Sequence, residues 1–238
     1  MASIDVVSHG VSAVALFDLD GTLLDTPRAI VEQMGAAVED VIGRRPDPVH
    51  TRRLIGSPLE RMAAALGGHD ETADVTARIA AGYLNRYRET IVPAAPELLF
   101  PGVRDGLTRL REAGVVSAVV TSKKHHSAEI ILESAGIREY FAAVVGADDV
   151  EYPKPHRASG DRALGALGRT RVGPADSVIG DTASDIGLGV ALGARTIAVT
   201  YGVATVDELT AARPDALADH FDRVIDLLLL QTESEPAP

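Results

Sequence analysis

Short apolar runs alternate along most of the chain with stretches that repeat an apolar side chain every three or four positions. The runs at 14–17, 115–120, 142–145, 177–179 and 196–199 have strand length and a high share of Val, Ile and Thr, which predicts five β-strands separated by helices. Strands that are apolar on both faces belong in a sheet covered on both sides, and that requires parallel strands with helical crossovers. The expected architecture is α/β: a Rossmann-like parallel sheet with helices on both faces.

The rhythm breaks once. About 90 residues between 25 and 114 hold no strand-like run, and the segments Pro27–Ile42, 49–55, 58–66 and 72–91 carry helical spacing punctuated by Pro or Gly. This predicts a helical subdomain at 25–92 inserted into an α/β core made of 1–24 and 93–230, with a return connector stiffened by Pro93, Pro96 and Pro101. A helix over 103–113 should follow and stop at Gly114, and the polar, acidic tail 231–238 reads as disordered.

Composition narrows the functions available to such a fold. The 238 residues carry a net charge of −11, so the overall field repels nucleic acid and anionic membrane surfaces. Trp is absent and only 4% of residues are aromatic, which leaves little for base stacking. With no Cys there are no disulfides or thiolate sites, no Lys or Arg precedes Arg28, and no apolar stretch is long enough to span a bilayer. A cytoplasmic protein is expected.

The sharpest chemistry sits where strands end. Asp18-Leu19-Asp20-Gly21-Thr22 follows the first run, and Gly180-Asp181-Thr182-Ala183-Ser184-Asp185 follows the fourth. Ligands of open α/β sheets bind beyond the carboxyl ends of strands. Clustered carboxylates need a cation there, and their oxygens suit a hard ion such as Mg²⁺. The plainer readings are an Asp-Gly turn for the first cluster and a helix cap for the second. Thr121 and Ser122, after the second run, offer hydroxyl and N–H donors fit for phosphate or for a helix cap. Tyr152-Pro153-Lys154-Pro155 frames one ammonium group between prolines. The chain has 20 Arg but only three Lys, at 123, 124 and 154, all beside these loops.

In this order, Asp18-x-Asp20-Gly21-Thr22, then Thr121, Lys154, and Gly180-Asp181 with Asp185, the chain resembles the haloacid dehalogenase superfamily. The likeness runs from about residue 13 to 226, and Arg53-Leu54-Ile55-Gly56-Ser57-Pro58-Leu59 and Phe100-Pro101-Gly102-Val103 resemble its phosphoglycolate phosphatase-like and pyrophosphatase-like branch. The resemblance implies a Mg²⁺-dependent phosphatase that hydrolyses a small phosphorylated metabolite, a phosphoglycolate-like phosphomonoester, through an aspartyl-phosphate intermediate. Asp18 would be the nucleophile and Asp20 the general acid and base. Thr121 and Ser122 would hold phosphate, and Lys154 would offset charge. Mg²⁺ would be held by Asp18, the Asp20 backbone carbonyl and Asp181, with Asp185 acting through water or from behind these ligands. Gly21, Thr22, Lys123 and the cap residues Arg53 and Gly56 complete the implied substrate-facing set, with Arg52 and Arg61 as further cap cations. The third signature departs from many relatives, since His156 and Arg157 stand where a second proline is common.

Asp20 argues against the dehalogenase branch, and the lack of any Lys before Lys123 argues against the phosphonate-cleaving one. A pyrophosphatase, a sugar-phosphate mutase, a receiver-like phospho-acceptor and a non-catalytic binding module remain alternatives. The sequence assigns no role to His125, His126 or His156 and does not choose between monomer and homodimer.

Overall fold

A computed structural model describes residues 13–233. Six parallel strands, β1 (Val14–Phe17), β2 (Val116–Val120), β3 (Phe141–Val145), β4 (Ser177–Gly180), β5 (Arg195–Val199) and β6 (Ala216–Ala218), form one sheet in the order β3-β2-β1-β4-β5-β6. β1 and β4 are neighbours at the centre, and the chain order reverses between them. That is the switch point where the loops beyond two strand ends diverge and leave a crevice.

Side-chain alternation splits the strands between two apolar layers. Ala15 and Phe17 of β1 face a large cluster, and Val14 and Leu16 face a smaller one. On the larger side lie α6 (Val103–Glu112), α7 (His125–Ser134) and α11 (Phe221–Glu233); Phe17 meets Phe141 edge-on at 6.3 Å and Phe221 at 6.0 Å. The other side is covered by α8 (Ala158–Ala166) and α9 (Ala183–Leu192), with α10 (Val206–Ala212) packed against α9. Side chains such as Phe17 and Leu16, essentially excluded from water, contribute about 2 kcal/mol each by burial. α6 ends as expected: Gly114 has φ 75°, and Val115 N–H reaches back to Leu110 O, the hydrogen bond of a glycine-terminated helix.

Between β1 and β2 the chain forms α1 (Pro27–Ile42), α2 (Pro48–Arg53), α3 (Leu59–Gly67) and α4 (Asp74–Arg86). α4 ends at Arg86, but the helical run goes on past the expected boundary at 92. It continues through a π turn, Tyr87–Ile91, into the short α5 (Val92–Ala94) and a 3₁₀ turn at Ala95–Glu97. Pro93 and Pro96 therefore sit inside helical turns. Proline fits the first turn of a helix, where its missing N–H is not needed, and the wide π turn upstream accommodates the ring that would crowd a regular α-helix. The entering and returning arms pair at Leu24 and Leu99, with Asp25 N–H bonded to Leu98 O and Phe100 N–H to Leu23 O.

Two further expectations are corrected. β6 was not anticipated, because three residues are too few to show a period. α11 runs to Glu233, so 231–233, assigned above to a disordered tail, continue a helix whose Phe221, Val224 and Ile225 are buried in the core; 234–238 lie outside the described residues. No helix among the described residues is long and apolar enough to cross a membrane.

Candidate active site

Asp18 leaves β1 with its N–H bonded to Ile179 O of β4, so the central strand pair aims both acidic loops into one crevice. Carboxylate oxygens of Asp18, Asp181 and Asp185 lie within 4.8 Å of one another, and all three residues are buried. Lys154 Nζ stands 2.7 Å from Asp18 Oδ1 and 2.6 Å from Asp185 Oδ1. Asp185 also caps α9: its Oδ2 accepts from Thr182 N–H at 3.0 Å and from Thr182 Oγ1 at 2.7 Å. One oxygen of Asp185 thus caps α9 while the other meets Lys154.

One ammonium group does not balance three buried carboxylates. Burial pushes the Asp18 carboxyl up to about 6, against the pull of Lys154 and with Asp185 adding to the rise. Burial, with Asp18 and Asp185 adding to it, also raises Asp181 well above the usual carboxylate range, although Val203 N–H donates to its Oδ2 at 2.7 Å. Burial opposes the charge on Lys154, but Asp18 and Asp185 outweigh it and hold the ammonium above its ordinary range. An all-oxygen donor set carrying excess negative charge fits a hard divalent cation.

Gly21 and Thr22 serve this cluster rather than the cavity above it. Gly21 has φ 84°, and a Cβ there would overlap the Asp181 carboxylate. Thr22, fully buried, donates its hydroxyl to Asp181 Oδ1 at 3.2 Å. Neither lines the cavity in which they were expected to face substrate.

The cavity lies over Asp18, between the core loops and the helical insertion. Asp20, Thr121, Ser122, Lys123 and Gly56 all line it. Thr121 Oγ1 accepts Lys123 N–H at 3.2 Å and holds the loop after β2 in a tight turn. Ser122 Oγ is buried without a hydrogen-bond partner among the described residues. Asp20 turns its carboxylate away from the acidic cluster, accepting from Thr26 Oγ1 at 2.6 Å and pairing with Lys123 Nζ at 3.0 Å. Lys123 Nζ also lies over the Tyr87 ring, 4.4 Å from its centre. Burial opposes the Lys123 charge, yet Asp20, with Tyr87 and Tyr83, holds it above the ordinary lysine range.

Arg53 is not brought to this cavity. With Arg52 and Arg61 it lines an adjoining groove on the far side of the Ile55, Gly56 and Ser57 loop, alongside Lys154, Thr182 and Glu208. Of the histidines, His125 pairs with Asp149 at 2.7 Å, His126 is exposed, and His156 Nδ1 accepts Ala158 N–H at the start of α8. Sequence reasoning missed Thr26 and Tyr87. The i, i+4 spacing of Tyr83 and Tyr87 on one predicted helix was the signal available for the second.

A parallel sheet with its acidic cluster at the switch point and a helical insertion above it presents carboxylates and a lysine to one ligand crevice. The sequence pattern of the haloacid dehalogenase-like hydrolases matches residues 15–199, and the chain belongs to that family. It is a phosphatase of the family. It is 40% identical to a probable phosphatase, IndB, of Dickeya dadantii over 94% of this chain and 97% of that one. It is 30% identical to a phosphoglycolate phosphatase of Pectobacterium atrosepticum, over 89% and 90%. In fold it is similar to a β-phosphoglucomutase from Clostridium difficile, with TM-score 0.79 and 17% identity over 94% and 98% of the two chains.

Proposed function

We propose that the chain is a Mg²⁺-dependent phosphatase that hydrolyses a small phosphomonoester through an aspartyl-phosphate on Asp18. The observation that carries this reading is the buried convergence of Asp18, Asp181, Asp185 and Lys154 beneath a cavity that also receives Thr121 and Ser122. Asp18, Asp181 and the Asp20 backbone carbonyl would hold Mg²⁺, with Asp185, already engaged by Lys154 and Thr182, acting on it through water, and the bound ion would neutralise negative charge between the nucleophile and the phosphate.

An Asp18 oxygen attacks phosphorus as the bond to the leaving oxygen breaks, and Asp20 donates a proton to that oxygen. Water, losing its proton to Asp20, then attacks the same phosphorus; the bond to Asp18 breaks and phosphate departs. Lys154 and the Thr121 and Ser122 donors hold the charge that the phosphoryl oxygens carry. Asp20 has to leave Lys123 to reach the leaving oxygen. An incoming phosphate, competing for Lys123, favours that exchange, and the helical insertion acts as a cap that closes over it. The absence of Cys and of a membrane-spanning helix among the described residues is compatible with a cytoplasmic setting.

The test is phosphate release from small phosphomonoesters, phosphoglycolate and pyrophosphate among them, with Mg²⁺ or with EDTA, for wild type and Asp18→Asn. Release that needs Mg²⁺ and vanishes in the variant supports the reading; no release from any ester overturns it.

A further inference from the structure

The wall that the insertion gives to the cavity is largely apolar and uncharged, with Ser57, Tyr83 and Tyr87 its polar members. Ile30 and Met34 of α1, Leu59 and Met62 of α3, and Tyr83 and Leu84 of α4 bound the cavity over Asp18, and no residue that the insertion contributes to it carries a formal charge. The charged groups in the lining, Asp18, Asp20, Lys123 and Lys124, all come from the core loops. Lys124 pairs with Glu60 at 2.5 Å, and Lys123, paired with Asp20 at 3.0 Å, is the cation that the incoming phosphate takes over.

The insertion's arginines stand elsewhere. Arg52 donates to Gly202 O at 2.8 Å, Arg61 pairs with Glu71 at 3.3 Å, and Arg53 lies with both in the adjoining groove. A carboxylate or second phosphate next to the leaving oxygen would therefore be pressed against aliphatic carbon with no unpaired cation from the insertion, which is costly. A hydrocarbon group would gain from the same wall. Met34 and Met62, unbranched and flexible, let the wall reshape around such a group.

From this polarity we infer that the preferred substrate is a phosphomonoester of an uncharged, largely apolar alcohol, rather than phosphoglycolate, pyrophosphate or another doubly anionic ester. The inference rests on the phosphatase reading above and adds the chemical class of the leaving group. The core side of the cavity takes the phosphate, and the insertion side takes the alcohol.

The test is kcat/KM for methyl, propyl and hexyl phosphate and for 2-phosphoglycolate, with Mg²⁺ and with p-nitrophenyl phosphate as a separate probe of phosphatase chemistry. Alkyl alcohols differ little as leaving groups, so the series reports burial. Each buried methylene is worth up to about fourfold. The expected result is a rise of at least about thirtyfold from methyl to hexyl phosphate, with hexyl phosphate at least about tenfold better than phosphoglycolate. Leu59→Arg, which puts a cation into a half-buried wall position, should move that ratio at least about tenfold toward phosphoglycolate, whereas Leu59→Met should not. A flat alkyl series, or phosphoglycolate as the better substrate, overturns the inference while p-nitrophenyl phosphate turnover keeps the phosphatase reading. Loss of all turnover, p-nitrophenyl phosphate included, overturns both. Should Leu59→Arg not fold, the wild-type series decides alone.

Discussion

Lys123 Nζ lies 3.0 Å from Asp20 Oδ2, in a pair almost shut off from water, with side-chain exposures of 8% and 13%. The ammonium touches the Tyr87 ring on its other side, so a single group ties the proposed general acid to the helical insertion. Removing one partner of such a pair leaves the other charge desolvated. Lys123→Met should therefore lower stability by about 2 kcal/mol, read by denaturant melts, and raise KM for phosphate esters at least about tenfold. An unchanged KM would separate Lys123 from substrate.

Asp18→Asn should abolish phosphate release without harming the metal-free fold. Burying the Asp18 carboxylate is unfavourable, as its pKa of about 6 records, and Asn removes that charge while Asp185 still holds Lys154. The metal-free Tm should stay the same or rise by a few degrees. A fall beyond about 5 °C, which for a chain of this size is more than about 1 kcal/mol, would mean that the Lys154 pair outweighs the desolvation.

The same raised pKa sets a pH dependence. A carboxyl that moves from 3.8 when unfolded to about 6 when folded binds its proton more tightly in the native state. Metal-free stability from this group is therefore fully present below about 4 and is lost as pH rises through about 6. Mg²⁺ binds the ionised form, so saturating Mg²⁺ should raise Tm by several degrees at pH 8 and by less than half as much at pH 5. Differential scanning fluorimetry in both buffers checks this; an equal shift at the two pH values counts against the carboxylate cluster as the metal site.

Ser122 offers the opposite balance of stability and function. Its hydroxyl is buried with no partner, so Ser122→Ala removes an unsatisfied group and should leave Tm within about 2 °C or raise it. If that hydroxyl meets a phosphate oxygen, KM rises about three- to tenfold. Steady-state kinetics with an unchanged KM would make Ser122 a packing residue.

How far the sequence reached can be judged residue by residue. β1 and β4 were legible because each is apolar on both faces and each runs straight into aspartates, which brought Asp18, Asp181 and Asp185 to one place. β6 was hidden because Ala-Leu-Ala follows Pro214 and Asp215 and reads as loop. Its entry is set by a distant contact: Asp215 Oδ2 accepts from Thr196 N–H and Thr196 Oγ1, both at 2.8 Å. Arg53 drew attention by its charge, but its direction depends on how α2 sits across the Ile55, Gly56 and Ser57 loop, which is a matter of packing. Gly21 and Thr22 were recognised as part of a motif. Their role, making room for Asp181 and holding it, depends on the approach of a loop about 160 residues away.

The paired arms at Leu24 and Leu99 restrict how the two halves can part. Because entry and exit are joined by Asp25 N–H to Leu98 O and Phe100 N–H to Leu23 O, neither arm can stretch or slip alone, and the insertion is left with rotation about one short ladder. Contacts at its rims resist that swing, among them Tyr87 hydroxyl to Ser127 O, Arg52 to Gly202 O and the Lys124–Glu60 ion pair. Because they sit on different edges of one pivoting body, opening has to break them together, and the insertion moves over the cavity as a single plate rather than helix by helix.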